Sequence, residues 1–170
     1  MIECTGPVVA ELNALFTSDW YSETGDLLLD ESLLTALTTE AQSGMEVQLF
    51  VGEASDQFLA HHAQNSYYQQ LAEAGVQIYR YRAPTVLHAK FVLVDDHVSV
   101  IGSSNMDERS FALDMEVSVY IVDEQFRRRM DAVVAEFHAA STLLDLDEWN
   151  RRPLRQKYVD NVCRLTSALL

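Results

Sequence analysis

Residues 86–105, VLHAKFVLVDDHVSVIGSSN, constrain the fold more tightly than any other part of the chain. Apolar residues fill two short runs separated by Asp95-Asp96-His97, and a second turn follows at Gly102-Ser103-Ser104-Asn105. This spacing predicts a strand from Val86, a tight turn, a second strand and a second turn. Helical and strand patterns alternate on both sides of it, which implies an α/β sandwich with a mixed sheet flanked by helices.

The alternation can be followed along the chain. Pro7 stands at a first helical position, with apolar spacing at Val8, Leu12, Leu15 and Phe16 and a stop at Gly25. Asp30 is expected to cap a second helix that Gly44 ends. MEVQLFV reads as a buried strand, residues 52–63 as a polar loop, and SYYQQLAEAG as a helix closed by Gly75. VQIYRY is the next strand, and Pro84 separates it from the hairpin. MEVSVYIV is a further strand, Asp123 caps a helix through about Phe137, and a last helical segment follows Pro153.

Charge excludes some functions. The net charge is −14, and all twelve Lys and Arg residues lie from Arg80 onward. Non-specific nucleic-acid binding relies on basic side chains displacing counterions, so a nucleic-acid partner is not expected. No apolar run approaches the roughly 18 residues of a membrane span, and the opening MIECTGPVVAEL has no basic signal-peptide start. Cys4 and Cys163 lack metal-ligand spacing and read as reduced thiols, which suggests a cytoplasmic face.

The hairpin also carries chemistry. On a strand, alternate side chains share a face, so His88 and Lys90 are expected to point the same way, with Val92 and Val94 after them. A lysine offers fixed positive charge to a phosphate oxygen, and a neighbouring imidazole serves as nucleophile or proton donor. Gly102 lets the backbone turn closely, and the amides and hydroxyls of Ser103 and Ser104, with the Asn105 amide, are placed to line an oxyanion site. Glu116 is a candidate to orient His88. Asp95 lies an odd number of residues from His88, which puts it on the other face or in the turn, in a supporting role.

His88, Lys90, Asp95, Gly102, Ser103 and Asn105 resemble the signature of the phospholipase D superfamily, His-x-Lys-x4-Asp-x6-Gly-Ser-x-x-Asn or a close variant. The surrounding YYQQLAEAGVQIYRYRAPTVLHAKFVLVDDHVSVIGSSNMDERSFALDMEVSVYIVD resembles the second catalytic lobe of bacterial cardiolipin synthases. GPVVAELNALFTSDWYSETGD resembles the helix after their first lobe, and LDLDEWNRRPLRQKYVDNVCRLTSALL resembles their carboxyl terminus. The resemblance implies residues 1–25 as the end of a first lobe, 26–140 as one catalytic lobe and 141–170 as a helical tail. It also implies a phospholipase D-like sandwich whose first strand is missing, since only DLLLD separates Gly25 from Glu31. A neighbouring strand edge is then left to be covered.

In that family two motifs meet in one active site, without metal or other cofactor. One histidine becomes phosphatidyl-histidine, and the other protonates the departing glycerol. Carried over, His88 is nucleophile or general acid, Lys90, Ser103, Gly102 and Asn105 hold phosphate, and Glu116 positions a histidine. The resemblance implies phosphatidylglycerol or another anionic phospholipid as substrate, and a peripheral place for the chain at the cytoplasmic side of a bacterial inner membrane. This sequence holds one such motif, so a homodimer or a second motif-bearing chain is expected to supply the other. Asp114 stands where these enzymes more often have Asn. A dimeric nuclease or phosphodiesterase and an inactive remnant or interaction module are the rival readings.

Other polar groups have plainer expectations. His61 and His62 read as exposed loop residues, His97 as a turn residue, His138 as late in a helix, and Tyr67 and Tyr68 as packing. FRRR at 126–129 reads as a solvated helix face. Arg151, Arg152, Arg155, Lys157 and Arg164, beside Trp149 and Tyr158, form either a solvated amphipathic helix or a segment touching anionic lipid.

Overall fold

The computed structural model describes residues 29–54, 58–103 and 117–165. The expected helix at 7–23, the strand residues Met115 and Glu116, and Cys4 lie outside them. The described elements are α1 (Leu29–Gln42), β1 (Gln48–Ala54), α2 (Phe58–Glu73), β2 (Gln77–Val86), β3 (Phe91–Val94) and β4 (Val98–Gly102). They continue with β5 (Ser118–Val122), α3 (Glu124–Ala140), β6 (Ser141–Leu143), α4 (Leu146–Asn150) and α5 (Leu154–Arg164).

The chain folds as α/β, with sheets flanked by helices. Among the described residues the strands divide into two three-stranded sheets. The first is mixed: β1 runs parallel to β2, and β6 is antiparallel to β2 across Tyr79–Leu143, Arg80–Thr142 and Tyr81–Ser141. The second is antiparallel, in the order β3-β4-β5.

Alternation along β1 and β2 sets the layers of the first sheet. Val51 and Ile78 point into the core with Tyr68, Leu71, Val76 and Trp149, and Leu34, Leu37 and Leu49 pack around them. On the other face, Phe50 and Tyr79 stack with ring centroids 5.1 Å apart. Phe137 of α3 joins the sheets, meeting Phe50 at 5.7 Å, Tyr81 at 5.5 Å and Phe91 of β3 at 5.5 Å. In the second sheet the register places Val92, Val94, Val98, Val100, Tyr120 and Val122 on one face. Val92, Val94, Tyr120 and Val122 of that face are exposed.

Local chemistry explains several helix ends. Gly44 and Gly75 take φ of 94° and 103°, and Met45 and Val76 donate back to the carbonyls of Glu40 and Leu71, closing α1 and α2. Asp123 caps α3 by accepting from the Phe126 amide at 2.6 Å. Asp30 does not cap α1, because the helix already includes Leu29.

Several expectations are corrected. The polar loop at 52–63 is instead the end of β1 and the first turns of α2, so His61 and His62 are half-buried helix residues. β2 continues through Pro84, which falls where the β1–β2 register shifts between Gly52 and Ala54 and no ladder bond is needed. Because β2 reaches Val86, the hairpin's first strand begins only at Phe91.

Candidate active site

His88 and Lys90 therefore lie in the connection between β2 and β3 and not on a strand. The β3–β4 ladder nevertheless holds this connection, since the Gly102 amide donates to the Lys90 carbonyl at 3.2 Å. Lys90 Nζ lies 3.1 Å from His88 Nδ1 and 3.0 Å from the His88 carbonyl oxygen. His88 is exposed and Lys90 half-buried. An ammonium only donates, so His88 Nδ1 accepts, and a neutral ring then carries its hydrogen on Nε2. In this arrangement the ring presents a proton donor outward. A nucleophilic Nε2 requires Lys90 to leave Nδ1, so that the proton can sit there instead.

Gly102 ends β4 with no positive φ. Glycine is required there because β5 passes close by. A Cβ on Gly102 would stand 2.5 Å from the Val117 carbonyl oxygen and 2.8 Å from Ser118 Cα. The Ser103 amide donates to the Val117 carbonyl at 3.0 Å, and the Val117 amide donates to Ser103 Oγ at 3.1 Å. The Ser103 amide is thus engaged in strand pairing and is not aimed at an oxyanion. Ser104, Asn105, Asp114 and Glu116 lie outside the described residues.

Asp95 opens the turn between β3 and β4 with φ 50°, a conformation that Asp tolerates better than most residues. Its carbonyl accepts from Arg127 Nε at 2.8 Å, and Arg127 also bonds Asp131. Among the described residues no hydrogen bond joins Asp95 to His88. Arg127 is correspondingly a turn anchor and not part of a merely solvated face. Sequence patterning missed it because its partner is a backbone carbonyl 32 residues away.

A cavity of about 280 Å³ is lined by other residues, and none of the described motif residues borders it. It is bounded by α2, β2 and the segment 149–160, with His61, His62, Arg80, Trp149, Arg152 and Asp160 in its walls. Asp160 is buried, and its two oxygens take His62 Nδ1 at 2.7 Å and Arg152 Nη1 at 3.0 Å. The Arg152 guanidinium lies 3.2 Å from the Trp149 ring centroid. Arg152 is therefore a buried-pair residue and not a member of an exposed basic cluster. Burial lowers the His61 pKa, helped by His62 and opposed by Asp160. Burial raises Tyr68 well above its ordinary value. Among the described residues no group of three His, Cys, Asp or Glu could hold a metal ion.

The sequence and the fold match known proteins. The family model described as "Cardiolipin synthase, PLD-like domain" matches residues 23–138. Cardiolipin synthase A of Proteus mirabilis is 36% identical over 140 residues, which are 82% of this chain and 29% of that protein. A cardiolipin synthase of Geobacillus kaustophilus is 37% identical over 142 residues, 83% of this chain and 28% of its own length. Among solved structures, the phosphatidylserine synthase of Haemophilus influenzae superposes with a TM-score of 0.66 at 17% identity, covering 82% of this chain and 39% of that one. The phospholipase D family member Nuc from Salmonella typhimurium gives 0.57 at 18% identity, covering 65% of this chain and 72% of that one. The class is thus a phospholipase D-like lobe. More narrowly, the chain belongs to the cardiolipin synthase, phospholipase D-like domain family and spans under a third of the curated relatives' length.

Proposed function

We propose that this chain is one half of a phosphatidyltransferase site, completed by a second copy carrying its own His88. The observation that carries the reading is the Lys90 ammonium 3.1 Å from His88 Nδ1 on an exposed connection, within a family of phospholipid enzymes. A phosphodiester entering the site draws Lys90 onto a non-bridging oxygen, which releases Nδ1. The ring proton then exchanges through water from Nε2 to Nδ1, where Glu116 accepts its hydrogen bond, and the freed Nε2 lone pair is the nucleophile. Nε2 attacks phosphorus in phosphatidylglycerol, the phosphorus–oxygen bond to glycerol breaks, and the other copy's histidine protonates that oxygen. The hydroxyl of a second phosphatidylglycerol attacks the phosphohistidine and gives its proton to the other copy's histidine, the phosphorus–nitrogen bond breaks, and cardiolipin leaves with both histidines restored.

The substrate, dimeric state and peripheral placement at a cytoplasmic membrane face belong to this proposal. No helix among the described residues is long and apolar enough to cross a membrane. The exposed valine face of β3-β4-β5 gives a second lobe apolar surface to cover. The test is product formation from phosphatidylglycerol vesicles by wild type and His88→Ala. Loss of cardiolipin in the variant is expected, and equal rates would overturn the reading.

A further inference from the structure

We infer that α5 is a docking element for an anionic lipid surface. Leu154 is 82% exposed, Tyr158 72%, Leu165 83% and Val162 43%. At about 100° per residue these four side chains share one sector roughly 80° wide. The stripe runs the length of the helix, about 16 Å. The opposite side carries Asp160 and Cys163, both buried. The stripe faces outward because the helix is pinned from behind by Asp160, through His62 and Arg152. Large apolar side chains are thus held in water on a helix that cannot turn to bury them.

Charge identifies what fits. Residues 151–165 hold five basic residues and one acid, Asp160, in a chain of net charge −14. That acid is buried and paired, so the exposed surface of α5 carries no negative side chain. Arg151 and Arg155 are exposed beside the stripe, and the Lys157 ammonium is fixed on the Asn150 carbonyl at 2.7 Å. An apolar stripe with an aromatic hydroxyl at its middle and cations at its rim matches the boundary between acyl chains and anionic headgroups. A second copy fits less well. Four side chains on a three-turn helix fall short of the roughly 1,200 Å² that a stable protein interface buries, and two α5 helices face to face would oppose their arginines.

The inference deepens the reading of the substrate as a membrane phospholipid, and its readout is separate from catalysis. Flotation with phosphatidylglycerol–phosphatidylcholine vesicles is compared with pure phosphatidylcholine vesicles, at low and high salt. Wild type and His88→Ala are expected to float equally with the anionic vesicles, and salt weakens both. Leu154→Asp with Tyr158→Asp is expected to abolish flotation, and R151Q with R155Q to weaken it about thirtyfold. All α5 variants are expected to turn over a short-chain, water-soluble phosphatidylglycerol at the wild-type rate. That result separates lost docking from lost catalysis or folding. Wild-type flotation retained by the Leu154–Tyr158 variant, or no flotation of wild type with anionic vesicles, would overturn the inference. So would a dimer that this variant converts to monomer while vesicle binding persists, since the stripe would then be a protein interface.

Discussion

Lys90 donates its ammonium to His88 Nδ1 at 3.1 Å, and the Gly102 amide holds the Lys90 carbonyl at 3.2 Å. The lysine ammonium therefore rests on the histidine, on a backbone fixed by the hairpin. Lys90→Met is expected to lower the turnover of phosphatidylglycerol by about 10²–10³-fold, the effect of losing one fixed donor to developing negative charge. Steady-state kinetics with thermal denaturation as a control checks this. An unchanged turnover would mean that Lys90 does not reach the substrate.

Gly102 is close to two backbone atoms of the neighbouring strand. Gly102→Ala forces β4 and β5 apart where Ser103 and Val117 exchange hydrogen bonds. A loss of about 1–3 kcal/mol is expected, as in other overpacked positions, measured by urea denaturation. Full stability in the variant would show that β5 can move aside.

The hairpin turn at Asp95–His97, the glycine stops of α1 and α2 and the Asp123 cap are legible in the sequence because each depends on residues a few positions apart. The motif was legible for the same reason, through its spacing. The division into two sheets was not, since strand partnership is set by contacts among distant residues. β6 escaped notice because three residues following a helix give no alternation to count. The start of α2 resembles a loop in sequence, because polar side chains hide a helical face whose partners come from the far end of the chain. His62 and Asp160 are 98 residues apart, and no local pattern could have paired them.

That pair should support the tail. Asp160→Ala leaves Arg152 and His62 partly buried without their shared acceptor, and a loss of about 3 kcal/mol is expected. Chemical denaturation measures it, with hydrogen exchange in α5 rising first. A change under about 0.5 kcal/mol would place the tail's anchoring in apolar contacts around Trp149 instead.

Acid should weaken the same region through His61, whose pKa is held down by burial and then by His62. With its folded pKa below its unfolded one, the unfolded chain takes up the proton first as pH falls. Stability is then full above the ordinary value of 6.5 and is lost as pH falls from there towards the folded pKa. The fall in Tm between about pH 7.5 and about pH 5.5 is expected to be smaller in His61→Gln than in wild type. Equal falls would assign acid sensitivity to other groups.

Activity in graded mixtures of wild type and His88→Ala, after subunit exchange, tests most directly whether this chain is half of a shared site. If two copies each supply a histidine, cardiolipin formation falls as the square of the wild-type fraction, to about one quarter at equal amounts. A straight-line fall to one half would contradict the shared site and show that each His88 acts without a second.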